Sequence, residues 1–138
     1  MIRRAAPSDM PAILDIRAKV FIEEQGVSEA DERDGRDGDA IHLIAFVDNA
    51  PVGTARILIE DNTGKIGRVA VLADQRGSGF GKALILASLD ELRGSGVPRA
   101  KLGAQTHAIG FYAALGFSPI GAEYMDAGIA HQDMVREV

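Results

Sequence analysis

Three glycines at alternating positions follow a short apolar run near the middle of the chain. Within residues 67–82, an apolar run over 69–72 that contains two valines passes through a polar turn to Gly77, Gly79 and Gly81. Helical periodicity begins after Lys82. The first amides of a helix have no partner within the helix and can bind an anion, and glycine lets the backbone approach it closely. The pattern therefore predicts a phosphate-binding loop between a strand and a helix, with Arg76 and Lys82 adding positive charge.

Two common phosphate-binding motifs do not fit this loop. A P-loop has a glycine five residues before its Gly-Lys pair and a Ser or Thr after it, where this chain has Arg76 and Ala83. The dinucleotide-binding fingerprint has a third glycine where Lys82 stands. A simpler interpretation also stays open, in which the glycines only allow a tight connection between strand and helix.

The composition limits the classes of function. At 138 residues, with 46% hydrophobic and 25% charged residues, the chain has the makeup of one globular domain over residues 1–138. Its net charge of −5 argues against a nucleic-acid partner, which favours a basic surface. The lack of cysteine excludes a thiol nucleophile. Without an apolar signal segment or a membrane-length apolar run, we expect a cytoplasmic protein with no membrane partner.

The periodicity of apolar residues predicts seven strands and three helices. Their order is β-α-β-β-β-α-β-α-β-β, a mixed α/β fold rather than a doubly wound one. The predicted strands are 2–4, 40–47, 52–59, 65–72, 101–103, 117–124 and 129–138. The predicted helices run from residue 10 to about 21, from the glycine loop to 94, and from 107 to 115. Four-residue turns over 48–51 and 61–64 join the second strand to the third and the third to the fourth.

A charged, glycine-bearing segment covers residues 29–39. Its acidic residues do not have the spacing of an EF-hand calcium loop. We expect a solvated loop that, if it lies beside a cleft, attracts a cationic substrate.

A second motif follows the glycine loop at the distance that one helix and one strand require. Residues 111–117 read F-Y-x-x-x-G-F, and residues 75–81 read Q-R-G-x-G-x-G. Together these motifs resemble the GCN5-related N-acetyltransferases, the GNAT superfamily. The whole length resembles its ElaA/YjcF-like branch, in the segments 20–27, 34–37, 40–43, 104–108 and 127–131.

The resemblance implies a site for acetyl-CoA and assigns residues to it. Backbone groups of Val69, Ala70 and Val71 would bind the pantetheine arm where the fourth and fifth strands splay apart. The pyrophosphate would be held by the loop residues Arg76, Gly77, Ser78, Gly79, Phe80, Gly81 and Lys82. Phe111 would pack against the cofactor arm. His107 would contact the cofactor, or alternatively cap a helix.

The resemblance also implies two catalytic groups. The Val71 amide would polarise the thioester carbonyl, and Tyr112 would protonate the departing thiolate. The alternative for Tyr112 is a half-buried aromatic residue whose hydroxyl finds a hydrogen bond within the protein.

The general base is not assigned by the resemblance. Many superfamily members have a Glu at the start of the fourth strand, where residues 63–67 here contain no acid. The candidates are Glu24 and His42, each acting through a water. The alternatives are a solvated carboxylate at a helix end and a strand histidine with a satisfied hydrogen bond. His131 is a further possibility for the base. A metal site built from the three histidines is not supported, because no pair of them has a metal-ligand spacing, so we predict no metal.

The implied activity is transfer of an acetyl group from acetyl-CoA to a primary amine. Without cysteine, direct attack in a ternary complex is favoured over an acyl-enzyme. The expected acceptor is a small cationic amine or the lysine side chain of a peptide. We expect the protein itself to be a monomer or a homodimer. The alternatives are a non-catalytic acyl-CoA-binding sensor module and, less favoured, a nucleotide-phosphate binder.

Overall fold

The computed structural model describes all 138 residues and confirms the mixed α/β fold. Its strands are β1 (Ile2–Arg4), β2 (Ile41–Val47), β3 (Ala50–Glu60), β4 (Thr63–Val71), β5 (Arg99–Gln105), β6 (Ser118–Asp126) and β7 (Ile129–Glu137). Its helices are α1 (Met10–Arg17), which continues as a π-helix over Ala18–Glu24, α2 (Glu29–Glu32), α3 (Phe80–Gly94) and α4 (Ile109–Ala114). None of the helices is long and apolar enough to cross a membrane.

All seven strands form one sheet in the order β1-β2-β3-β4-β5-β7-β6. Every neighbouring pair is antiparallel except β4 and β5, which are parallel. These two strands pair only between Thr63–Lys65 and Arg99–Lys101. After Lys65 they diverge, and the sheet splits into a part that ends with β4 and a part that begins with β5.

The two sheet faces pack against different helices. On one face, α3 packs against the central strands, with Leu84, Ile85 and Leu92 fully buried beside Ile57 and Ile66. Gly64 allows this packing, because a Cβ at that position would overlap the side chain of Leu92. On the other face, Ile16 and Val20 pack against Ala70 of β4.

Several predicted boundaries were wrong. The turn after β2 contains only Asp48 and Asn49, both with positive φ (48° and 65°), so β3 begins at Ala50 and not at residue 52 as predicted. Such two-residue turns match the twist of the flanking strands. The first helix does not end at residue 21 but widens into the π-helix, and Gly26 (φ 72°) follows as the predicted stop.

Residues 29–39 are mostly exposed, as predicted, but they are not a free loop, because Glu29–Glu32 form α2 and several of the acids are held by arginines. Glu32, in α2, is buried against Arg17 of α1, whose Nη2 donates to Glu32 Oε2 at 2.9 Å. Arg17 Nη1 donates to Asp37 at 2.8 Å, and Arg56 of β3 makes two hydrogen bonds of 2.8 Å to Asp34. The acidic segment is therefore attached to the sheet by arginines that are distant from it in sequence.

We predict that Arg17→Met strongly destabilises the protein. Arg17 is fully buried, so its loss leaves the buried Glu32 without its bidentate partner. Breaking a buried pair in this way costs about 3–5 kcal/mol, to be measured as the free energy of unfolding in urea. The control is Lys19→Met, which removes an exposed pair with Asp15 and should cost less than about 0.5 kcal/mol. Equal losses in the two variants would contradict this account.

The stability contribution of Asp34 should depend on pH. Its hydrogen bonds from Arg56 hold the pKa of Asp34 below its usual value. A lowered folded-state pKa stabilises the fold above the unfolded-state pKa of about 3.9, and this contribution is lost as pH falls below that value. We therefore expect Asp34→Asn to be less stable than the wild type at neutral pH, with the difference shrinking in urea titrations below about pH 4. Asp39→Asn, at an exposed position without an ion pair, should show no such pH-dependent difference.

Candidate active site

A cavity of about 520 Å³ lies where β4 and β5 diverge. Its walls come from β4 and β5, from the end of the first helix, from the acidic segment 29–39, from α4 and the segment before it, and from the β6–β7 hairpin. Lining residues include Phe21, Val69, His107, Tyr112, Tyr124 and His131. The cavity thus joins segments that are widely separated in sequence.

The edge of β4 that faces the cavity has no paired strand beyond Lys65. A β-bulge lies within this stretch, since Thr54 pairs with Ala70 while Arg56 pairs with Gly67. Arg68 lies at the bulge with a positive φ of 49° and donates through Nη2 to the carbonyl oxygen of Glu32 at 3.1 Å. A bulge re-aims the backbone, and an open strand edge can accept an extended ligand as an added strand. These features place the backbone of Val69–Val71 beside the gap.

The glycine loop follows β4 and leads directly into α3. Gly77 and Gly79 have φ values of 83° and 85°, and a Cβ on either would meet no atom within 4 Å. Glycine is therefore needed here for its backbone conformation and not for close packing. The open space argues against a packing role for these glycines, although their positive φ values also suit a tight connection between strand and helix. The amides of the first turn of α3 are adjacent to the loop.

Arg76 ties the glycine loop to two neighbouring segments. Its Nε donates to the carbonyl oxygen of Val71 at 3.0 Å. Its guanidinium also pairs with the carboxylate of Glu24 at 2.7 Å and 3.0 Å. Glu24 thus lies at the end of the π-helix in an ion pair, and it does not line the cavity.

Tyr112 of α4 lines the cavity and is half-buried. Its ring packs edge-on against Phe111 and Phe117, at centroid distances of 5.1 Å and 6.2 Å. Burial raises the pKa of Tyr112, so the hydroxyl is protonated at neutral pH. The Cζ atom of Phe111 lies 3.8 Å from the Cβ position of Gly81, so Phe111, which is 44% exposed, lies beside the glycine loop.

Two of the three histidines line the cavity. His107 Nε2 lies 2.8 Å from Gln105 Oε1, and the amide of Gln105 donates to Gln25 at 3.0 Å. His131 Nδ1 lies 2.7 Å from the carbonyl oxygen of Ile129. His42 does not line the cavity, because it is buried with its Nε2 2.9 Å from the carbonyl oxygen of Asp37.

The sequence reasoning missed a group of residues around the β6–β7 hairpin. Tyr124 donates from its hydroxyl to Asp133 at 2.6 Å, and burial together with this carboxylate raises the pKa of Tyr124. A Cβ on Gly103 would lie 2.6 Å from that hydroxyl, so the glycine makes room for it. The signal that the sequence offered was Gly103 itself, because a glycine inside a strand often marks a place where another group approaches the backbone closely.

The acidic residues of the cavity fall into two groups. Glu32 and Asp34 line it but are engaged by Arg17 and Arg56. Asp31 and Asp126 line it and form no ion pair.

Comparison with known proteins agrees with this architecture. The family model for the acetyltransferase (GNAT) domain matches residues 10–138. Protein ElaA of Escherichia coli is 35% identical, over 95% of this chain and 89% of ElaA, and its crystal structure superposes with a TM-score of 0.86. The N-acetyltransferase YjcF of Bacillus subtilis is 32% identical over 88% of each chain.

A more distant structure contains bound coenzyme A. The PaiA N-acetyltransferase of Thermoplasma acidophilum, solved in complex with coenzyme A, has a TM-score of 0.80 and covers 100% of this chain and 98% of its own. At 16% identity it shows likeness of fold alone. With the family model spanning nearly the whole sequence and relatives above 30% identity, this chain belongs to the GNAT family of N-acetyltransferases.

Proposed function

We propose that this acetyltransferase moves an acetyl group directly from acetyl-CoA to a primary amine within a ternary complex. The observation that carries the proposal is the unpaired edge of β4, which runs between the glycine loop and the cavity that Tyr112 lines. An extended thioester bound along that edge would have its phosphates at the loop and its acyl group in the cavity.

Backbone groups make up most of the proposed acetyl-CoA site. The open edge at Val69–Val71 suits the amide-bearing pantetheine arm, which can pair with it as a strand would. Amides between Arg76 and Lys82, at the positive end of the α3 dipole, suit the pyrophosphate. Phe111 lies beside the loop, and His107 lines the cavity. The Val71 amide serves as the oxyanion donor, a contribution worth about 3 kcal/mol in comparable sites.

Tyr112 is the proposed general acid. Its hydroxyl is half-buried in the cavity wall, and burial keeps it protonated at neutral pH. A protonated phenol beside the leaving sulfur can neutralise the thiolate as the carbon–sulfur bond breaks.

The proposed acceptor is a cationic amine, either a small molecule or a lysine side chain. Asp31 and Asp126 support this preference, since both line the cavity without an ion-pair partner. The other acids of residues 29–39 support it less than the sequence suggested, because Asp34 and Asp37 are neutralised by arginines.

A non-catalytic acyl-CoA sensor is the second candidate. It is favoured only by the lack of an acid over residues 63–67, the start of β4. The two candidates differ in turnover, which a sensor does not have.

Acetyl-CoA should bind and stabilise the protein, whereas ATP should not. A ligand that binds only the folded state raises the melting temperature by mass action. Thiol release is then measured in the same wells with spermidine, glycinamide and a lysine-containing peptide. Stabilisation without thiol release from any amine would favour the sensor, and the absence of stabilisation would contradict the proposed site.

The loop conformation should matter for this affinity. We expect Gly79→Ala to weaken binding of CoA about tenfold in calorimetry, because a positive φ costs an alanine about 1–2 kcal/mol and shifts the loop amides. Gly94→Ala, at the last residue of α3 and without a positive φ, is the matched control. If CoA affinity is unchanged in both variants, the glycine loop does not bind the phosphates of CoA.

Tyr112→Phe should separate chemistry from binding. The substitution keeps the ring contacts with Phe111 and Phe117 and removes only the proton donor. We expect kcat to fall by about 100-fold or more, with the Kd for CoA within about twofold of the wild type. A parallel loss of CoA affinity would instead give Tyr112 a role in binding.

A further inference from the structure

The reaction proposed above needs an acceptor nitrogen with a free lone pair. A primary amine is protonated at neutral pH, so a group in the cavity must take a proton before the amine can attack. Glu24 and His42 do not line the cavity. Of the acids that do, Glu32 is held by Arg17, and Asp34 is held as a carboxylate of lowered pKa by Arg56. A weakly basic, arginine-bound carboxylate is a poor proton acceptor.

His131 lines the cavity with one ring nitrogen already assigned. Nδ1 lies 2.7 Å from the carbonyl oxygen of Ile129. A carbonyl oxygen only accepts hydrogen bonds, so Nδ1 carries the hydrogen and donates it. In the neutral ring, Nε2 then keeps its lone pair and is the proton-accepting atom.

The strands on both sides hold the His131 ring in place. His131 lies directly opposite Tyr124 of β6 and opposite Gln105 of β5. Cross-strand partners share a face of the sheet. The Tyr124 ring stacks on the imidazole at 5.9 Å between centroids and 19° between planes. Tyr124 is fixed in turn through its hydrogen bond to Asp133.

Asp133 and Gly103 complete this support. Asp133 also pairs with Lys101 of β5 at 3.4 Å, which ties the hairpin to the neighbouring strand. Gly103 leaves the space in which the Tyr124 hydroxyl lies, since a Cβ there would clash with it. The sequence segments around residues 103, 124 and 131–133 thus form one arrangement centred on the imidazole.

His107 fits the same role less well. Its Nε2 donates to Gln105, and its ring is exposed at the start of α4. No aromatic ring stacks on it to fix its plane.

From this geometry we infer that His131 is the general base that deprotonates the acceptor amine, an inference that rests on the proposed function. His131 Nε2 takes one proton from the acceptor ammonium, and the freed nitrogen lone pair forms the C–N bond to the thioester carbon. The C–S bond breaks, and Tyr112 gives its proton to the sulfur. The second proton of the nitrogen returns to the Tyr112 oxygen, and His131 releases its proton to solvent. The balance is an acetylated amine, free CoA thiol and one proton.

The charged and titratable groups around His131 come from each element next to it. Tyr124 and Asp126 belong to β6, Asp133 to its own strand β7, Lys101 to β5 and His107 to the segment before α4. Lys101 and Asp133 form a pair, so they largely offset each other. Asp126 is the unpaired acid of this group, and its carboxylate favours the acceptor cation.

The inference is tested with His131→Gln and two nucleophiles. The first nucleophile is whichever of spermidine, glycinamide and the lysine peptide the wild type acetylates fastest. The second is hydroxylamine, which is already neutral at neutral pH and needs no base. We expect turnover with the amine to fall by about 100-fold or more and turnover with hydroxylamine to fall by less than about threefold. His107→Gln is the comparison, and it should change turnover with both nucleophiles by the same factor.

A second readout does not depend on hydroxylamine. With saturating amine, kcat of the wild type should decline toward low pH, and this decline should be absent in His131→Gln. A merely structural role would lower kcat without changing its dependence on pH. If His131→Gln does not bind CoA as the folded wild type does, Tyr124→Ala replaces it, because loss of the stacked ring should lower amine turnover relative to hydroxylamine turnover.

The outcomes separate this inference from the proposed function. Wild-type protein that releases no thiol with any nucleophile would overturn the proposed function itself. Wild-type activity with an unchanged nucleophile ratio and an unchanged pH profile in His131→Gln would overturn only the role of His131.

Discussion

The divergence of β4 from β5 after Lys65 is the constraint on which the rest of the site depends. Strand β5 remains paired with β7 over its full length, so β5, β7 and β6 diverge from β4 together. Backbone groups of β4 that would otherwise be paired within the sheet remain available to a ligand. The same split opens the cavity, whose walls bring Tyr112, Tyr124 and His131 into one space. An enzyme that binds an extended thioester can thus use main chain for affinity and reserve a few side chains for chemistry.

Ion pairs of Arg17 and Arg56 with the acidic segment 29–39 support another wall of the cavity. They attach this segment to the sheet and use its carboxylates for structure, so few of them are available to a substrate. Arg68, at the bulge of β4, contacts the same segment through the carbonyl oxygen of Glu32. The bulge, the acidic segment and the first helix therefore support one another, which keeps this wall in place beside the open edge of β4.

Sequence reasoning succeeded where the responsible interactions are local. The order of strands and helices, the glycine loop and α3 follow from periodicity and from dihedral angles that only neighbouring residues decide, such as those of Gly77 and Gly79. It was less successful for residues 29–39. Their charges predicted a solvated loop, because their partners Arg17 and Arg56 are 15 to 22 residues away in sequence and nothing in the segment itself indicates them.

The mixed α/β fold, the family, and the loop and tyrosine that the proposed site uses could all be predicted from residue patterns along the chain. Which polar side chains reach the cavity could not, because that depends on how distant segments pack together. The sequence offered Glu24 and His42 as candidate bases and His131 only as a further possibility, yet of these three only His131 lines the cavity. The physical reason is that an imidazole acquires its role from its surroundings. The carbonyl of Ile129 assigns its proton, and the ring of Tyr124 across the hairpin fixes its plane.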